Sequence, residues 1–128
     1  MKALVDTHTL LWAAYRKDLL SARAKRILES KSNELVVSAA SAWEIATKFR
    51  LGRLPYAHIL ANNFVAVVLE AGYSLISITP EHALRAGQFP GEHKDPFDRM
   101  LAAQAIQENM PMISNDSCFD AFAVRREW

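Results

Sequence analysis

The sequence predicts an α/β protein built on a central parallel sheet of four to five strands. Three observations carry that prediction. Short apolar runs alternate with helical stretches of ten or more residues, the pattern of βαβ units with helices covering both faces of the sheet. Ser, Thr or Asp marks most helix starts, and Gly or Pro marks most breaks. Two of the short apolar runs end in an isolated acid, Asp6 and Asp116.

Residues 2–5 read as the first strand, with Asp6 at its carboxyl end. Thr7 or Thr9 is placed to cap a helix carrying Leu10, Leu11 and Ala14. Ser21 caps the next, which sets Ala24, Ile27 and Leu28 on one side and Arg23, Lys25 and Arg26 on the other. Residues 35–37 form a second strand, and residues 38–49 a helix with Ala42, Ile45, Ala46 and Phe49 inward, ended near Gly52. Pro55 breaks the chain, and residues 59–71 form a helix closed at Gly72. Residues 75–78 are the third strand, and Thr79-Pro80-Glu81 opens a short helix up to Gly87. After a polar loop over 88–94, Asp95 and Pro96 start a long helix to about Asn109. The acid supplies an acceptor at the cap, and the proline ring fixes φ where its missing amide costs nothing. Residues 111–114 are the fourth strand, Asn115-Asp116 a turn, and the last strand is expected over 122–125.

A chain of 128 residues is one domain's worth, and its 51% apolar and 23% charged content is that of a soluble globular protein. Only three apolar residues follow Lys2 before Asp6, so no secretory signal is expected. The longest apolar run, residues 64–69, is far short of a membrane span. One cysteine, Cys118, excludes an internal disulfide, fits a reducing cytoplasm and reads as a small core residue. Net charge is +1 but uneven. Residues 1–64 carry ten Lys/Arg against five Asp/Glu, and residues 65–128 five against nine. The basic half, including Arg16, Lys17, Arg23, Lys25, Arg26, Lys48, Arg50 and Arg53, suits either a solvated helix face or a track for a phosphate backbone.

Parallel strands with right-handed crossovers bring their carboxyl ends to one edge, where open sheets bind ligands. Asp6 and Asp116 belong there, and Glu44 and Asp98 lie near the starts of helices that begin at that edge. Carboxylates crowded in one crevice resist ionising together, and a hard divalent cation such as Mg²⁺ or Mn²⁺ relieves the conflict. Each acid also has a plainer reading: Asp6 as a turn residue, Asp95 as a cap, Asp98 as a helix-dipole partner, Asp116 as a turn cap. Glu44 stands three residues after Ser41, a capping-box spacing. Ser38 is the better start, which leaves Glu44 mid-helix and in need of a cation.

Read together, Asp6-Thr7-His8-Thr9-Leu10-Leu11-Trp12, Ser38-Ala39-Ala40-Ser41-Ala42-Trp43-Glu44-Ile45-Ala46, His93-Lys94-Asp95-Pro96-Phe97-Asp98-Arg99 and Ser114-Asn115-Asp116 resemble the PIN-domain family. The likeness is greatest to the VapC-type toxins of bacterial toxin–antitoxin pairs, and it runs through the whole chain in order. It implies a three-layer α/β/α fold and an Mg²⁺- or Mn²⁺-dependent endoribonuclease acting on RNA. By the same likeness Asp6, Glu44, Asp98 and Asp116 are the acidic quartet, with Asp6 and Asp98 the principal metal ligands. Ser114 then orients a neighbouring acid, and Thr7, Asp95 and Arg99 support the ligands. The likeness further implies a cognate antitoxin that blocks the site, and a toxin homodimer. The turn holding Asp116 departs most from the pattern.

His8, His58, His82 and His93 are too scattered for a zinc site and read as surface or packing residues. Trp12, Trp43 and Phe97 read as core or interface, and the apolar content between Trp43 and Leu69 as a dimer or antitoxin surface in competition with ordinary core. Two rivals remain: a non-catalytic RNA- or protein-binding module with a vestigial acidic pocket, and a phosphoacceptor domain with Asp6 as acceptor. The latter lacks the usual paired acids and late Lys. No P-loop, dinucleotide fingerprint or Ser/His/Asp arrangement is present.

Overall fold

The computed structural model describes all 128 residues as a five-stranded, wholly parallel sheet between two layers of helices. In chain order the elements are β1 (Lys2–Val5), α1 (Thr7–Tyr15), α2 (Ala22–Glu29), β2 (Glu34–Ser38), α3 (Ala39–Arg50), α4 (His58–Glu70), β3 (Ser74–Ile76), α5 (Pro80–Gln88), α6 (Pro96–Gln107), β4 (Met112–Ile113) and β5 (Arg126–Glu127). Two 3₁₀ turns, Lys17–Leu19 and Ser117–Phe122, complete the chain.

The strand order is β3-β2-β1-β4-β5. The chain winds outward from β1 to β3, then returns to lay β4 on the other side of β1. The reversal therefore falls between β1 and β4, where splayed connections leave a crevice at the strands' carboxyl ends.

Side-chain alternation builds the two cores. Leu4, Val36 and Met112 are register partners and pack with Leu101, Ala102 and Ala105 of α6 and with Phe119. Ala3, Val5, Leu35, Val37 and Ile113 face the other way, against Leu10 and Leu11 of α1, Ala24 and Ile27 of α2, and Leu60 and Val68 of α4. Continuous burial along β1 and β2 is what a sheet covered on both faces requires.

Most helix starts fall where the sequence places them. Ser21 accepts from the Ala24 amide, Ser38 from Ala40, and Thr79 caps α5. Neither Thr7 nor Thr9 caps α1. Asp6 occupies the cap position, while the threonine hydroxyls reach Ser41 and the Ile113 carbonyl. The helix 58–70 is kinked at Asn63, which has φ −135° and ψ 36°. The last strand is not at 122–125. Phe122 and Val124 are buried as their apolarity demands, but Phe122 lies in the 3₁₀ turn and Ala123 adopts φ 61°. The polar Arg126 and Glu127 then pair with β4 through their backbone. No helix is long and apolar enough to cross a membrane.

Leu101 is fully buried at the junction of α6 and the sheet. Leu101→Ala is expected to cost about 2–5 kcal/mol, read as a lower urea midpoint with an unchanged slope.

Candidate metal centre and active site

Asp6 emerges from β1 at the crevice and is 2% exposed. Although it holds the cap position of α1, its carboxylate bonds none of the helix amides. Its Oδ2 instead accepts from Ser114 Oγ at 2.8 Å, across the gap to the end of β4. The same hydroxyl accepts from the Asp116 amide at 3.0 Å, so one serine ties the two strand ends together. Burial pushes the Asp6 carboxyl up to about 6. The Ser114 bond and His8 oppose the rise, while the charges of Asp98 and Glu44 add to it.

Asp98 stands in the first turn of α6, behind the cap residue Asp95, whose Oδ1 accepts from the Phe97 and Asp98 amides at 2.9 and 3.2 Å. Asp98 Oδ2 meets His93 Nε2 at 3.0 Å and Cys118 Sγ at 3.9 Å. Burial raises its carboxyl, neighbouring Asp95 and Glu44 raise it further, and His93 pulls it back. Glu44, in α3, is 2% exposed. One oxygen pairs with Lys48 Nζ at 2.5 Å, and the other, Oε1, is buried with no hydrogen-bond partner. Burial disfavours the Lys48 cation, but its bond to Glu44 and the carboxylate charges outweigh that and hold its proton more tightly. The Thr7 and Ser41 hydroxyls, 2.8 Å apart, join α1 to the first turns of α3 and so fix Asp6 relative to Glu44.

Asp6, Glu44 and Asp98 face the same niche, near enough for Glu44 and Asp98 to raise Asp6 and for Glu44 to raise Asp98, but their oxygens do not close on one another as the His93, Asp98 and Cys118 donors do. Asp116 stands to one side. It caps the 3₁₀ turn by accepting from the Cys118 amide at 2.9 Å, and lines an open groove with His8, Trp12, Asn115 and Ser117. Asp95 is a cap with an added electrostatic effect on Asp98. Arg99 touches no carboxylate: its guanidinium donates to the carbonyls of Ala86, Phe89 and His93, tying down the loop that carries His93. Of the basic residues in the first half, Arg16 pairs with Asp18 and Arg23 with Glu127, and Lys48 reaches the niche.

Two groups at the niche make contacts that the sequence reading misses. His93 packs edge-on against Phe122 and also reaches Asp98, because the loop folds it back over the first turn of α6. Cys118 is half-buried and packs against the core around Leu101 and Phe119, as its type suggests, but its sulfur also lies 3.9 Å from Asp98 Oδ2. Lys48 had a legible signal, the i,i+4 spacing from Glu44. Trp43 is 55% exposed with its ring against Phe97, so it lies on the surface and not in the core.

The PIN-domain family profile matches residues 3–125. The chain belongs to the PIN-domain family. No curated protein matches it by sequence. Solved structures of the same PIN fold include VapBC2 from Rickettsia felis bound to a DNA fragment from its promoter, with TM-score 0.70, 15% identity and coverage of 99% of this chain and 98% of that one. FitAcB from Neisseria gonorrhoeae gives TM-score 0.61 at 18% identity, covering 98% and 96%. VapBC-1 from nontypeable Haemophilus influenzae gives 0.65 at 15%, covering 99% and 97%.

The donor set of this PIN domain fits a hard divalent cation. The Asp6, Glu44 and Asp98 carboxylates supply oxygen only, Asp6 and Asp98 are both held above the ordinary carboxylate range by burial and by their acidic neighbours, and Glu44 Oε1 has nothing else to bind.

The raised Asp6 carboxyl sets a pH signature. The folded protein holds this proton more tightly than the unfolded chain, whose value is near 3.8. Without metal, stability from this group therefore falls as pH rises from about 4 through about 6, and the deficit is complete above that. Asp6→Asn removes the deficit. It is expected to stabilise the metal-free protein at pH 7 by up to about 3 kcal/mol, with no gain below about pH 4. Saturating Mg²⁺ should reverse the order at pH 7, as read by urea denaturation.

Proposed function

We propose that this PIN domain, residues 1–128 acting as one unit, is a metal-dependent endoribonuclease and the toxin half of a VapC-type toxin–antitoxin pair. The observation that carries the reading is the convergence of Asp6, Glu44 and Asp98 at the β1/β4 reversal, with a buried Glu44 oxygen left without a partner. The structural neighbours named VapBC support the toxin assignment.

Asp6 and Asp98 would hold Mg²⁺ or Mn²⁺, and Glu44 would complete the ligand set or orient the attacking water, with Asp116 at the groove beside them. The bound cation supplies Lewis-acid polarisation of the phosphate and a more acidic water. The remaining work falls to the chain. Ser114 donates to Asp6 Oδ2 and His93 donates to Asp98 Oδ2, so each carboxylate is fixed in rotation with its second oxygen free to ligate. Arg99 holds the loop that brings His93 over. Lys48, the basic side chain beside the carboxylates, is the one expected to meet an RNA phosphate.

Trp43 and Leu51, at and beyond the outer face of α3, and Ile59, Val65 and Leu69 of α4 are exposed, while Ile45, Leu60 and Val68 are core. This exposed apolar strip is where the antitoxin or a second copy in a homodimer would dock.

The rival reading, a binding module, draws on the Lys48–Glu44 pair, which neutralises one acid of the set. Cleavage separates the two. Labelled RNA with Mn²⁺ should be cut by the wild type, and EDTA should stop it. Asp98→Asn should lower the rate at least about a hundredfold, the equivalent of losing several kcal/mol of charge stabilisation, with little change in unfolding midpoint. RNA bound but uncut by the wild type would favour the module.

A further inference from the structure

We propose that His93, Asp98 and Cys118 form a second kind of metal site, one that takes a thiophilic ion of the Zn²⁺ class. His93 Nε2, Asp98 Oδ2 and Cys118 Sγ all lie within 4.8 Å of one another. Tetrahedral Zn²⁺, with bonds of about 2.0–2.3 Å, sets such atoms roughly 3.3–3.6 Å apart. The His93–Asp98 and Cys118–Asp98 separations, 3.0 and 3.9 Å, bracket that range. A contraction of about 1 Å at the widest pair completes the geometry and leaves a fourth position open to water.

The three donors arrive on separately anchored pieces of chain. Arg99 bonds the carbonyls of the His93 loop, and the Phe122 ring stands edge-on to the His93 imidazole at 5.5 Å. Asp98 sits in the capped first turn of α6, and the Cys118 amide is fixed by Asp116. The donor chemistry selects the ion. Imidazole and thiolate together favour Zn²⁺ and its neighbours, whereas Mg²⁺ takes oxygen and does not recruit sulfur. Nothing in the nuclease chemistry calls on the Cys118 thiol.

The site shares Asp98 with the hard-cation set, so its occupation draws on that carboxylate's charge and displaces the His93 hydrogen bond that orients it for the hard cation. Resting on the nuclease reading, Zn²⁺ is then an inhibitor acting through Cys118, a side chain outside the catalytic set.

Co²⁺ serves as the spectroscopic probe on the metal-free full-length chain. One equivalent should give tetrahedral ligand-field bands and a thiolate-to-cobalt charge-transfer absorption, both displaced by Zn²⁺. Cys118→Ser should lose the charge-transfer band, and it and His93→Gln should each weaken Zn²⁺ binding at least about tenfold, since even outer-shell losses reach that size. Should Cys118→Ser fail to fold, the wild type decides the matter: Zn²⁺, but not Mg²⁺, should protect Cys118 from alkylation. Absence of the thiolate band, or absence of that protection, overturns the site. In the RNA assay Cys118→Ser should keep Mg²⁺-supported cleavage but need at least about tenfold more Zn²⁺ for inhibition; equal sensitivity overturns the inhibitory role. A chain that shows the thiolate band and cleaves nothing retains this site and defeats the nuclease reading instead.

Discussion

Carboxylates crowded into one another's fields are a standing cost to a folded protein, and Asp6, Glu44 and Asp98 are held near one another by the scaffold around them. Water is largely withdrawn from Asp6 and Glu44, and the charges of Asp98 and Glu44 make Asp6 harder to ionise. A stretch of chain selected for stability alone would place apolar residues there, or give each acid its own cation. Here Lys48 partners a single oxygen, and Ser114 and His93 contribute one hydrogen bond apiece. The arrangement offers these acids less positive charge than they carry negative charge, which is the ground for the proposal of a cation there.

The rest of the fold can be understood as holding that niche open. Reversal of strand order next to β1 opens a crevice that a simple run of adjacent strands would close. Ser114 couples β1 to β4, the Thr7–Ser41 pair couples α1 to α3, and Arg99 secures the loop over α6. The first two contacts join elements distant in sequence, so the positions of Asp6 and Glu44 depend on the tertiary fold, whereas Asp98 is set by its own helix start and the neighbouring loop that Arg99 secures. The half-buried Cys118 at the rim adds a donor of a different softness from the carboxylates, the basis of the proposed second metal site.

Much of this was legible in the sequence because local signals agreed with the tertiary outcome. Ser21, Ser38, Thr79 and Asp95 cap helices where their types and spacing indicate, and the buried strands read as short apolar runs. The chain end misled because burial and strand pairing part company there. Phe122 and Val124 fill the core from irregular backbone, while polar Arg126 and Glu127 pair with β4. Asp6 and Glu44 reach the niche from elements that their sequence positions identify. His93 does not, since its place depends on a loop folding back, held by a guanidinium whose carbonyl partners no periodicity marks. Cys118 packs against the core as a lone cysteine after the fourth strand suggests, but its approach to Asp98 is set by the 3₁₀ turn and marked by no local pattern.

The central claim is that these acids share one cation, and the most direct measurement locates it. Crystals soaked in Mn²⁺ should show an anomalous scattering peak bonded at once to a carboxylate oxygen of Asp6 and of Asp98, at about 2.1 Å, the distance expected for a small hard cation. A peak bonded to only one of them, or a fully occupied Mn²⁺ elsewhere on the molecule with the niche bare, would contradict it.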